Sequence, residues 1–146
     1  MASVSTYLNF PGNCDQAFQF YRKVFRSEFL GAITRMCDVP SDPSFPPVPE
    51  NALNLICNIT LPIVAGHHLM GADACDWMGF PPLVQGNNVH ITLSPESREE
   101  TDRLFAELSE GGTVDMPLQD MFWGDYYGTL TDKFGTLWMF NFPKAQ

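Results

Sequence analysis

Ala17, Phe20, Tyr21, Val24 and Phe25 recur three and four residues apart, which predicts the apolar face of a helix. Asn13 precedes that run as a candidate N-cap, with Gln16 three residues on as in a capping box. Arg22, Lys23 and Arg26 fall in the later turns, where cations complement the helix dipole. Thr101, Leu104, Phe105 and Leu108 predict a second helix starting near Ser97, with Glu100 at the matching capping position and Gly111-Gly112 ending it. Strand patterns at 6–10 and 89–94 each lead through a proline into one of these helices. Further strands are expected at 28–35, 54–61 and 67–71 after the first helix. After the second they are expected at 113–117, 127–131 and 137–142. Residues 132–135 join the last two strands, with Gly135 where a left-handed residue is needed.

The same order, β-α-β-β-β, is thus read twice. Laying one helix over the other gives an offset of 84 residues, which sets Thr6 over His90 and Phe20 over Leu104. The expected fold class is α+β, in two βαβββ modules within one domain of 146 residues. Module one covers about 1–75, a linker 76–86, and module two about 87–146.

Two stretches depart from the pattern. Residues 40–50 contain Pro40, Pro43, Pro46, Pro47 and Pro49, which excludes a helix or a central strand there. Phe45 and Val48 point to a loop that packs on something, as a lid or a dimer arm. Residues 75–86 carry Trp77, Met78, Phe80, Pro81 and Pro82, an apolar content that again calls for a neighbour.

Composition sharpens this. Charged residues are 17% of the chain, against a usual share of about 25%, while aromatics reach 13%. Surface so poor in charge suits coverage by a partner subunit or a ligand. The net charge is −9, and the eight Lys and Arg form no cluster, so nucleic acid is excluded as a partner. The same balance disfavours anionic membranes, and no segment offers the roughly 20 apolar residues of a membrane span. Cys14, Cys37, Cys57 and Cys75 lack C-x-x-C spacing, and no basic, then apolar leader follows Met1. The expected compartment is a reducing cytoplasm. No G-x-S-x-G, phosphate loop or G-x-G-x-x-G is present, which removes the common hydrolase, nucleotide-binding and methyl-donor signatures.

Tyr7-Leu8-Asn9-Phe10-Pro11-Gly12-Asn13-Cys14 opens the chain. Met116-Pro117-Leu118-Gln119-Asp120-Met121-Phe122-Trp123-Gly124 and Leu130-Thr131-Asp132-Lys133-Phe134-Gly135-Thr136-Leu137-Trp138-Met139 lie near its end. These segments resemble PhnB-like proteins of the glyoxalase/bleomycin-resistance/dioxygenase superfamily, also called vicinal oxygen chelate. The resemblance implies curled mixed sheets forming a cleft, and a homodimer in many members. It does not imply one reaction, because the superfamily hosts isomerases, dioxygenases, transferases and simple binders.

Metal-using members place His or Glu on the first and last strands of each module. By that resemblance the positions here are Thr6, His90 and Met139, with no carboxylate around 69–71. A thioether is a poor ligand for hard divalent ions. No cofactor is therefore expected, and His90 is the one weak metal candidate. The leading expectation is a small-molecule cleft without the usual metal set, lined by His90, Trp123, Asp125 and Tyr126. Trp and Tyr in the run 122–127 combine flat apolar faces with one polar end, which suits a pocket or an interface. A metal-dependent lyase, isomerase or dioxygenase is the first alternative, and it needs His67, His68, His90 and Asp73 to converge. A non-catalytic binder of a drug or antibiotic is the second.

Overall fold

The computed structural model describes residues 1–143; the last three residues assigned to module two, 144–146, lie outside them. The first five elements are β1 (Thr6–Phe10), α1 (Cys14–Phe25), β2 (Thr34–Arg35), β3 (Ile56–Pro62) and β4 (His68–Asp73). Their sheet has the order β1-β4-β3-β2, with β1 parallel to β4 and the other neighbours antiparallel. The next five are β5 (Ile91–Leu93), α2 (Arg98–Ser109), β6 (Thr113–Asp120), β7 (Tyr126–Thr131) and β8 (Leu137–Phe142). Their order is β5-β8-β7-β6, again with only the first pair parallel. The fold is therefore α+β, with two βαβββ modules, each an open four-stranded mixed sheet carrying one helix. The chain divides into two compact units, 1–84 and 85–146. No helix among the described residues is long and apolar enough to cross a membrane.

In unit 1, α1 packs on β3 and β4. Its buried stripe is Cys14, Ala17, Phe18, Tyr21 and Val24, set against Ile56, Ile59, Leu61 and Leu69. Phe18 is fully buried and Phe20 only half-buried, so the stripe is rotated from the expected one. The cause is visible at Gly71, where a Cβ would lie 2.5 Å from Phe18 Cε1. A bare glycine in β4 makes the room that the Phe18 ring fills. In unit 2, α2 buries Thr101, Leu104, Phe105 and Leu108 against β6, β7 and β8.

The two helix starts are built differently. Ser97 Oγ accepts the Glu100 N–H at 3.0 Å, as a capping serine should. Asn13 makes no side-chain cap bond, and its Oδ1 is buried without a partner. Asp73, from the far end of β4, supplies the missing acceptor to the Cys14 N–H.

Three further differences have local causes. β2 is only two residues long, because Gly31 at φ +73° turns the chain away from extended geometry. β6 continues past Pro117 to Asp120; it is an edge strand, with a register shift between Met116 and Gln119 that absorbs the proline. The third concerns the repeat. Thr101 lies 84 residues after Ala17, and Leu108 lies 84 after Val24, yet the buried strand end Leu93 lies 83 after Phe10. The strand-to-helix turn is 11–13 in one module and 94–97 in the other, so one residue is gained there. His90 therefore matches Tyr7, and not Thr6, in the strand phase.

Candidate functional site

The sheet of unit 1 has one face on α1 and one face turned away from it. On β1, Phe10 is buried while Tyr7 and Asn9 are exposed, following the period-2 alternation of a strand. On the far side of β4 from them, β3 is irregular: Thr34 opposes Asn58, but Arg35 opposes Ile56. Cys57 is thus the extra residue of a bulge, a feature that re-aims side chains. Ile56 goes fully into the core and gives its N–H to Asp73 Oδ2 at 2.9 Å, while Cys57 opens onto a cavity.

Tyr7, Asn9 and Cys57 belong to the lining of this cavity, which has a volume of about 1500 Å³. Its walls are the two stretches that broke the sequence pattern. Residues 39–48 contribute four prolines with Phe45 and Val48, and residues 75–84 contribute Trp77, Met78 and Phe80. The root of the first stretch is held by the Met36 N–H on Leu55 O and the Cys37 N–H on Leu53 O, both at 2.9 Å. Arg35 ties the same root down, reaching Asn54 O at 2.8 Å and Asp15 Oδ2 at 3.0 Å. Gly79, at φ +79°, supplies the left-handed turn after Trp77 and Met78.

Two titratable groups of the lining, Tyr7 and Cys75, have their proton affinity raised. Burial raises the Tyr7 phenol, helped by the neighbouring thiols of Cys57, Cys14 and Cys75. Burial also raises the Cys75 thiol, with Cys57, Asp73 and Asp76 adding to it. Beneath the sheet, burial and the Asp73 carboxylate push the Cys14 thiol far up, so it serves as a packed apolar side chain. The floor thus presents the Tyr7 phenol, the Asn9 amide and the Cys57 side chain to a largely apolar space.

All four residues singled out from the sequence lie in unit 2, whereas every residue lining this cavity lies in unit 1. His90 is half-buried just ahead of β5. Trp123 is 47% exposed in the β6–β7 turn, edge-on to Phe122 at 4.9 Å and to Tyr127 at 5.9 Å. Asp125 Oδ2 accepts from Asn141 Nδ2 at 3.2 Å. Tyr126 donates its O–H to Asp102 Oδ1 at 2.5 Å, and the Arg98 guanidinium lies 3.8 Å over its ring. Arg98 also grips Asp120 with both terminal nitrogens, at 2.8 and 3.0 Å. That carboxylate is thereby held below its usual range, while the Asp102 hydrogen bond raises the Tyr126 phenol. Tyr126 and Asp125 are thus engaged with α2 and β8.

The donor set does not fit a hard divalent ion. Thr6 Oγ1 and His67 Nε2 are 2.9 Å apart and hydrogen-bonded to each other. Asp73 commits one oxygen to Cys14 and the other to Ile56. Met139 stands opposite Thr92, offering a thioether and a hydroxyl. Among the described residues no three His, Cys, Asp or Glu side chains come together as a metal site requires.

The lining residues Tyr7, Asn9, Cys57, Trp77 and Phe80 were not among the expected site residues. The signal for them was the apolar content of the two proline-bearing loops; the bulge that exposes Cys57 leaves no local mark.

A family model described as the Glyoxalase/Bleomycin resistance protein/Dioxygenase superfamily matches residues 5–140. Protein YjdN of Escherichia coli (strain K12) is 30% identical over 156 aligned positions, covering 98% of this chain and 97% of that one. The structure of protein PA1353 from Pseudomonas aeruginosa is similar with a TM-score of 0.83 at 31% identity, over 99% of this chain and 100% of that one. A putative 3-demethylubiquinone-9 3-methyltransferase, PhnB protein, from Bacillus cereus shares the fold, with a TM-score of 0.72 at 22% identity over 97% and 99% of the two chains.

Proposed function

This chain belongs to the glyoxalase/bleomycin resistance protein/dioxygenase superfamily, and from that premise we propose that it binds a small organic molecule in the unit 1 cavity without a divalent metal. The observation that carries the reading is that both apolar loops line one cavity with the open sheet face, with a volume of about 1500 Å³. Ligand sites are mostly apolar with a few placed polar groups, and drug-sized ones span roughly 300–1,000 Å³. Here the walls offer apolar surface, while Tyr7, Asn9 and Cys57 orient the guest. The volume suits a bulky ligand. A homodimer in a reducing cytoplasm accompanies this reading, with edge strand β6 and the exposed Phe122 as the contact.

The test is a thermal-shift screen of organic compounds, repeated on Trp77→Ala and Trp123→Ala, with elemental analysis of the purified protein. Compounds that raise Tm in the parent lose that effect in Trp77→Ala and keep it in Trp123→Ala. The opposite pattern moves the ligand to the aromatic turn of unit 2, and a stoichiometric divalent ion removes the metal-free part. Recovery of each bound compound unchanged makes the protein a sequestering binder; recovery of a product makes it an enzyme.

A further inference from the structure

The charge pattern of the cavity says more about its ligand than the volume does. Asp42 and Asp76 lie in its lining, and no Lys, Arg or His does. Among the described residues neither carboxylate forms an ion pair. Asp42 spends Oδ1 on the Ser44 N–H at 2.8 Å, which fixes its position in the proline-rich wall. Asp73 also lines the space, but both its oxygens are taken by backbone N–H groups. That same bond closes the start of α1 to an incoming anion, because Asp73 already occupies the Cys14 N–H. The nearest guanidinium at the root of the loop, Arg35, is paired with Asp15 and is not part of the lining.

Aromatic faces complete the pattern. Tyr7, Phe45, Trp77 and Phe80 all line the cavity, and the face of an aromatic ring attracts a cation. An anion entering the same space meets no positive group that could replace the hydration it loses on contact. We infer, resting on the cavity being the ligand site, that unit 1 selects lipophilic cations, ammonium- or phosphonium-type compounds with an aromatic body, over neutral and anionic molecules of the same shape.

Three probes of one shape test this: tetraphenylphosphonium, triphenylphosphine oxide and tetraphenylborate, titrated calorimetrically into the full chain. The phosphonium binds about tenfold or more tighter than the borate. In D42N/D76N that preference falls about tenfold, while the affinity of the neutral oxide is unchanged. Asn at position 42 still accepts from Ser44, and circular dichroism checks the fold of the variant. E96Q/E110Q removes the same charge from unit 2 and leaves the preference as it was. Borate binding as tight as phosphonium, or a preference that survives D42N/D76N, overturns the inference and spares the cavity. Probes that bind equally well to Trp77→Ala, or no binding by any of the three, overturn the cavity reading with it.

Discussion

Asp73 Oδ1 accepts the N–H of Cys14 at 2.9 Å, so a carboxylate at the end of β4 does the capping that Asn13 does not do. Its other oxygen takes the Ile56 N–H at the start of β3. One side chain, 3% exposed, therefore fixes both the helix start and the bulged strand that turns Cys57 into the cavity.

Removing it leaves two buried N–H groups without acceptors. Asp73→Ala lowers unfolding stability by about 2–4 kcal/mol, and Asp73→Asn, which keeps one acceptor oxygen, by less. Urea unfolding checks this through the midpoint at constant slope. A loss below about 0.5 kcal/mol for the alanine variant denies Asp73 its bracing role.

Unit 2 has its own buried carboxylate at a different place. Asp132 Oδ1 accepts the N–H groups of Phe134 and Thr136, at 2.8 and 3.1 Å, and Oδ2 accepts the Trp138 indole at 2.8 Å. The β7–β8 turn is thus tied to the largest fully buried side chain of the chain's described residues. Trp138→Phe keeps most of the ring but removes the donor, and costs about 1–2 kcal/mol. Asp132→Ala costs more, because three donors lose their partner. Equal costs for the two variants indicate that the turn bonds add nothing beyond the indole contact.

Much of this frame is legible in the residue pattern, and what is not has a common cause. β1 and β8 start and stop where alternation and flanking turns place them, because those signals are local. Ser97 caps α2 as expected for the same reason. The cap of α1 comes instead from a residue 59 positions away, which no window along the chain includes. The one-residue gain in the second strand-to-helix turn also escapes an alignment made on helices alone, and it shifts His90 onto Tyr7. The loops were visible as apolar stretches in need of a neighbour. That the open face of the first sheet is that neighbour follows only from tertiary packing.

Gly71 sets how closely Phe18 approaches the sheet. A Cβ there meets Phe18 Cε1 at 2.5 Å and Leu8 O at 3.2 Å, and the Phe18 ring is fully buried. Gly71→Ala costs about 1–3 kcal/mol by overpacking. On a Phe18→Leu background the same change costs less, with a coupling of about 0.5–1 kcal/mol, since the smaller side chain yields the space. Additive losses in thermal or urea unfolding place the strain at the Leu8 carbonyl instead.

Tyr126 gives the fold of unit 2 a signature at high pH. Its phenol is raised above the ordinary value of 10.0 chiefly by the hydrogen bond to Asp102, with burial adding and Arg98 opposing. A raised phenol binds its proton longer in the folded state than in the unfolded one, so its contribution is complete below pH 10.0 and is lost as pH rises through the folded value. Difference titration of the parent against Tyr126→Phe at the phenolate absorption band isolates this residue from the other tyrosines. Asp102→Asn keeps an acceptor but removes the charge, and brings the Tyr126 midpoint down toward 10.0. Tyr7, raised mainly by burial in unit 1, keeps its midpoint in that variant. Should Tyr126 titrate at the same pH in parent and Asp102→Asn, the raised value arises from burial, and the Tyr126–Asp102 bond is not the tie that holds the start of β7 to α2.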